Sequence, residues 1–148
     1  MTVRLFSSIE TSASGLTAER FRLDLIASNL ANAETTRTAS GEPYRRKIAL
    51  FAPRQARYSF RDMLGAQMSA MGQGVRVAGV GEDISPLKRT YMPGHPDADD
   101  EGYVTYPNVD VVTEMVDMMT ATRAYEANVT AIEAAKSMAQ KALEILRV

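Results

Sequence analysis

The residues best suited to chemistry lie in GHPDADDE (94–101), where the chain's single histidine, His95, stands beside Asp97, Asp99, Asp100 and Glu101. Clustered oxygens suit a hard cation such as calcium. The spacing does not, because an EF-hand loop closes on a glutamate at its twelfth position and this run is too short. A solvated acidic loop turned by Pro93, Gly94 and Pro96 is the reading that fits. GQG (72–74) and GVG (79–81) resemble pieces of a phosphate cradle, which needs a strand before it and a helix after it. Here VRVAGV follows the first pair, Pro86 follows the second closely, and the chain has no GKS or GKT. Both pairs are predicted to be turns. Catalysis asks for a nucleophile, a base and an orienting group in one pocket. One histidine in an acidic loop does not supply them, so no enzyme, metal, cofactor or small-molecule substrate is expected.

Charge is distributed more informatively than it is summed. The formal net charge is −1 over 148 residues, too small to draw the chain to nucleic acid or an anionic surface. Yet residues 37–61 carry Arg37, Arg45, Arg46, Lys47, Arg54, Arg57 and Arg61 against Glu42 alone. Residues 97–117 carry Asp97, Asp99, Asp100, Glu101, Asp110, Glu114 and Asp117 with no base. Two readings stay open: the blocks neutralise each other inside one subunit, or one subunit's basic surface docks on the next subunit's acidic one. Heterologous contacts of the second kind, which do not close, build helical filaments.

The elements that must hold these groups fall into three stretches. All six prolines lie between residues 43 and 107, and eight of the nine glycines between 41 and 102. From Val109 to Val148 there is neither. In that stretch Val111, Met115, Met118, Thr122, Tyr125, Val129, Ile132, Lys136, Ala139, Leu143 and Leu146 follow alternating steps of four and three, the spacing of a coiled-coil seam. One helix over the stretch would run about 60 Å, against about 40 Å for a compact globule of this length. Residues 4–33 offer a partner helix with Leu16, Leu23, Ile26 and Leu30 on its stripe, interrupted by Arg20 and weakened by Gly15. The predicted fold is mainly α, with paired terminal helices and a small middle of strands and loops. YRRKIALF (44–51), GVRVAGV (74–80) and GYVTY (102–106) read as strands, and 92–102 as a loop. The chain has no cysteine, which suits a protein that crosses redox compartments. It has no apolar run near the roughly 18 residues of a membrane span, and its N-terminus does not read as a cleaved signal peptide.

One stretch runs against local preference. SNLANAETT (28–36) places Asn29 and Asn32 at the end of an otherwise good helix, where asparagine competes for backbone hydrogen bonds. They either cap the helix C-terminus or reach to a neighbouring subunit, and the sequence leaves both open.

These residues carry a resemblance. ASGLTAERFRLDLIASNLANAETTRT (13–38) resembles the N-terminal signature of the flagellar basal-body rod proteins, whose variants of SNLAN precede a polar and threonine pair, here Glu34, Thr35 and Thr36. PGHPDADDEGYVTYPNVDVVTEMVDMMTATRAYEANVTAIEAAKSMAQKALEI (93–145) is similar to their C-terminal half, most specifically in YPNVD, EMVDM and RAYEANV. Those blocks supply Asn108, Arg123, Glu126 and Asn128. The likeness is closest to the proximal-rod members; it covers nearly the whole chain, weakening over 52–73. Arg37 stands where rod proteins in general carry glycine after the Asn-Thr motif.

What the resemblance implies is a structural subunit of the flagellar rod, the drive shaft that also continues the export channel. Helices at 1–35 and 109–148 would form an inner coiled-coil domain, and 36–108 an outer region. The implied partners are further copies, the rod subunits FlgB, FlgF and FlgG, the adaptor FliE and the type III export apparatus, with no nucleic acid. The implied location is the basal body, in the periplasm or cell-wall zone, reached without a cleaved signal peptide. The alternative reading is a soluble helical-hairpin secretion adaptor or chaperone.

Overall fold

The computed structural model describes residues 2–54 and 74–145. Two long helices, α1 (Thr2–Ala31) and α2 (Val111–Ile145), flank four short strands, β1 (Lys47–Pro53), β2 (Val75–Glu82), β3 (Lys88–Tyr91) and β4 (Tyr103–Tyr106). β1 pairs with β2, and β3 with β4. The second pair is antiparallel, running from Lys88 opposite Tyr106 to Tyr91 opposite Tyr103.

Each helix end has a local cause. α1 stops at the asparagines: the Asn32 backbone N–H reaches the Ser28 carbonyl at 3.1 Å and its side-chain Nδ2 reaches the same oxygen at 2.8 Å. That satisfies a carbonyl the last turn would otherwise leave free. α2 starts on Asp110, whose carboxylate accepts from the Val112 N–H at 3.2 Å and the Thr113 hydroxyl at 3.0 Å, the preferred chemistry for an N-cap.

The strands depart from expectation at two places. β3 was not anticipated: KRTY is exposed along its whole length, so no alternation marks it, and it forms by pairing with β4, where Val104 is fully buried. Gly79 and Gly81 are not turn residues but lie within β2, where Gly81 leaves room for Ile48 and Leu50 of β1. Gly72 lies outside the described residues, while Gly74 takes the left-handed backbone, with φ +91°. A Cβ there would collide with the Ser14 hydroxyl, which accepts the Val75 N–H at 3.0 Å.

The chain divides into two compact units. One comprises Met1–Arg20, Phe51–Ala78 and Arg123–Val148; the other comprises Phe21–Leu50 and Gly79–Thr122. In the first, Gly15 of α1 and Asn128 of α2 approach so closely that an added Cβ would lie 3.0 Å from the Asn128 amide. Among the described residues, the buried ones of that unit are small: Ser14 and Ala18 on α1, Ala135 on α2. In the second, Ile26, Tyr44, Val104, Pro107, Val109 and Ala121 are buried together with the polar Asn29 and Glu114.

The inward face of α2 coincides with the predicted seam only in part. Glu114, Ala121 and Ala135 are buried and Asn128 is half-buried, a series seven apart. The expected series Met115, Thr122, Val129, Lys136 and Leu143 sits one residue further on, about 100° around the helix. Met115 is 54% exposed and Leu143 is 63% exposed, while Met118, Tyr125, Val129 and Ile132 are half-buried. On α1, Ile26 is buried and Leu16, Leu23 and Leu30 are half-buried. The offset follows from ranking residues by size: where two backbones come close, small side chains line the contact and larger ones are displaced to its flanks. Leu146 lies outside the described residues.

Candidate functional site

Asn29 occupies the end of α1 with only 1% of its surface exposed, and each polar capacity of its amide is used. Nδ2 donates to the Lys47 carbonyl at 2.9 Å and to Glu114 Oε2 at 3.0 Å. Oδ1 accepts from the Tyr44 hydroxyl and the Lys47 backbone N–H, both at 2.9 Å. One side chain so ties the end of α1 to the start of β1 and the first turn of α2.

Glu114 is fully buried. A carboxylate there needs a charge partner and hydrogen bonds, and Arg46 Nε supplies both at 2.6 Å. The same guanidinium reaches Asp117 at 3.0 Å and Asp83 at 3.8 Å, and Arg22 approaches Asp117 at 3.5 Å. Burial works against the Arg46 cation, but the hydrogen bond to Glu114 and the charges of Glu114, Asp117 and Asp83 outweigh it and hold the guanidinium above its ordinary pKa. Asp83 is held below the ordinary aspartate value, first by hydrogen bonds from the Ser85 hydroxyl and N–H, then by the Arg46 charge. Among the described residues, the buried side-chain polar atom without a hydrogen bond is Glu19 Oε2, outside this cluster. The cluster itself is fully satisfied, the condition under which a buried polar network specifies one arrangement.

Asn108 plays a parallel part. Its Oδ1 accepts the Arg46 N–H at 2.9 Å, and its Nδ2 donates to the carbonyls of Asp83 at 3.0 Å and Ser85 at 3.3 Å. The two asparagines hold the chain on either side of Arg46. Each charge here faces an opposite one, so the arrangement fastens segments together rather than preparing a group for reaction.

The remaining candidates divide between this cluster and its surroundings. Asn32 caps its own helix, as above, and Thr35 Oγ1 donates to Asn32 Oδ1 at 3.2 Å. Thr36 Oγ1 donates to Asp97 at 2.7 Å, with Arg37 3.9 Å from the same carboxylate. Asn128 Nδ2 donates to the Ala124 carbonyl at 2.9 Å. Arg123 and Glu126 are exposed. In the acidic loop, His95 Nδ1 accepts the Asp97 N–H at 3.1 Å. Asp99 accepts from the Tyr103 and Glu101 N–H groups and from Arg89, and its pKa is held down chiefly by the Tyr103 N–H. These carboxylates organise their own loop. Beside it a cavity of about 340 Å³ is lined by Thr36, Arg37, Asp97, Tyr103 and Thr105 among others.

Sequence reasoning reached Asn29 and Asn108 but missed Tyr44, Arg46, Glu114 and Asp83 as their partners, and Asp117 as a partner of Arg46. The signal was present in the opposite charge of the two blocks. Arg46 and Arg37 are paired inside the chain with Glu114, Asp117 and Asp97, so at these residues the blocks follow the reading of internal neutralisation.

Comparison with known proteins adds the family. The profile of the flagella basal body rod proteins matches residues 9–37, and that of the C-terminal region of the flagellar basal body rod FlgEFG proteins matches 100–145. Residues Asn29 and Glu114, in direct contact, come one from each matched region. The flagellar basal-body rod protein FlgC of Borreliella burgdorferi is 50% identical over 152 residues, covering 97% of this chain and 98% of that protein. The FlgC of Bacillus subtilis is 50% identical over 147 residues, covering 95% and 97%. The chain belongs to the FlgC family of flagellar basal-body rod proteins. The FlgC of Escherichia coli O6:H1, at 43% identity over 141 residues, covers 95% and 97% in the same way. As a FlgC protein the chain is a structural subunit of the flagellar basal-body rod, and it assembles with other rod components. Arg46 and Tyr44 fall between the two family-matched regions, so in this FlgC chain the hub joins both signatures through residues belonging to neither.

Proposed function

We propose that the chain is a proximal-rod subunit that assembles helically into the shaft that transmits torque and continues the export channel. Its likeness along nearly its whole length to FlgC proteins carries this reading. The proposed neighbours are further copies, FlgB, FlgF, FlgG and the adaptor FliE, with delivery by the type III export apparatus, without a cleaved signal peptide, into the periplasm or cell-wall zone. In the assembled rod the terminal segments 1–35 and 109–148 form an inner coiled-coil layer and 36–108 an outer one. Leu16, Leu23, Leu30, Met115, Met118, Tyr125, Val129, Ile132, Leu143 and Leu146 contribute contacts to the terminal helices of neighbouring subunits. Exposure of Val112, Met115, Val116 and Met119 supports that role, since these occur at i, i+3, i+4 and i+7 on one helix face.

Complementation tests the reading. Expressed in Bacillus subtilis lacking its own FlgC, the chain should restore motility and copurify with basal bodies. Soluble complexes with export components and no incorporation into basal bodies would instead support the adaptor. A second readout is far-UV circular dichroism of the chain, dilute and then with rod partners, where helix content should rise on mixing.

A further inference from the structure

The first turns of α2 are inside-out. Glu114 has no exposed surface, while Val112, Met115, Val116 and Met119 are 54–69% exposed. Glu114 lies about 200° around the helix from both Val112 and Val116. The ordinary amphipathic arrangement puts the apolar stripe inward and the carboxylate in water, so hydrophobic burial alone favours turning this part of α2 over. Opposing it are the Arg46–Glu114 pair, the Asn29–Glu114 hydrogen bond and the Arg46–Asp117 pair, all satisfied at once and all made from the inward side.

We infer that Asn29, Arg46 and Glu114 form a rotational lock: they fix the turn of α2 about its own axis and so hold the Val112–Met119 stripe outward before any partner arrives. They are positioning residues for assembly and act through α2 rather than by touching a partner. A fully satisfied buried polar cluster suits this work, because it penalises any rotation that strands one of its members. The stripe's use in assembly rests on the function proposed above; the lock itself does not.

Thiol labelling tests it directly, because the chain has no cysteine of its own. Val116→Cys reports the outward face, and Ala121→Cys, at a fully buried position, the inward one. In the otherwise unaltered chain Val116→Cys should react with a maleimide about tenfold faster than Ala121→Cys, whose labelling needs local opening. In Arg46→Ala/Glu114→Ala, which removes the lock without building an apolar contact in its place, with helix content unchanged by circular dichroism, the ratio should fall to about one or invert. A ratio that stays near tenfold in the folded double variant overturns the lock. If that variant does not fold, Glu114→Gln, which keeps the shape and removes the charge, must lower the ratio at least about threefold, and an unchanged ratio again overturns it. Val116→Glu separates the two inferences. Normal assembly of that variant with the labelling result intact would remove the stripe from the rod contacts and leave the lock standing. Blocked assembly beside an unchanged labelling ratio would do the reverse.

Discussion

Both compact units use α1 and α2, yet they hold them by different physics. In the unit containing Ser14, Gly15, Ala18, Asn128 and Ala135, the helices meet through small residues, and close backbone approach supplies dispersion contact. In the unit containing Asn29, Arg46 and Glu114, they meet through a charged cluster centred on the buried Asn29 and Glu114. The first contact tolerates polar exchange but not bulk. The second tolerates changes of bulk at its rim but not the loss of a partner. A shaft subunit has use for both, since steric packing gives stiffness while polar contacts fix register.

Substitutions can break this comparison. Glu114→Leu should have the largest effect, about 3–5 kcal/mol in denaturant unfolding, because it takes the closest partner from Arg46 and leaves one donor of Asn29 buried and unpaired; a loss below about 1 kcal/mol would mean that the cluster is incidental. Ala18→Leu addresses the small-residue contact, and overpacking a buried alanine should cost about 1–3 kcal/mol. A neutral result would mean that Ala18 does not contribute to a close contact. Asn32→Ala sharpens the contrast within SNLAN. It removes one cap bond from a half-buried residue and should cost about 1 kcal/mol, well below Asn29→Ala in the same melts. Equal losses at the two asparagines would contradict their division of labour.

The smallest effect concerns pH. Asp99 is held below the ordinary aspartate value of 3.8 by the Tyr103 N–H, with help from Arg89 and the Glu101 N–H. A depressed carboxylate contributes stability above its unfolded pKa and loses it as the pH falls through the folded one. The Tyr103 amide resonance should therefore titrate with a midpoint below 3.8; a midpoint at or above that value would detach Asp99 from the loop.

Much of the architecture was legible in the sequence, because helical periodicity and the confinement of proline to residues 43–107 are strong signals. α1 ends and α2 begins within two residues of expectation. β3 was not legible, since KRTY carries no alternation and depends on β4 for its existence. The inward face of α2 was legible only in part for a related reason. Periodicity ranks residues by apolar size, and here the buried positions belong to alanine and to a glutamate whose partner stands 68 residues away. Asn29 and Asn32 drew attention as a local anomaly, yet only three-dimensional contact distinguishes the cap from the hub. Nothing in the spacing of SNLAN reveals that Lys47 and Glu114 will meet Asn29.

The most direct test of the central claim, that a charged cluster rather than an apolar seam fastens the start of α2, is a double-mutant cycle on Arg46→Met and Glu114→Leu by denaturant unfolding. The account predicts a coupling of about 2–3 kcal/mol, the double variant being far less damaged than the two single losses summed. Additive losses, with coupling within about 0.5 kcal/mol of zero, would contradict it.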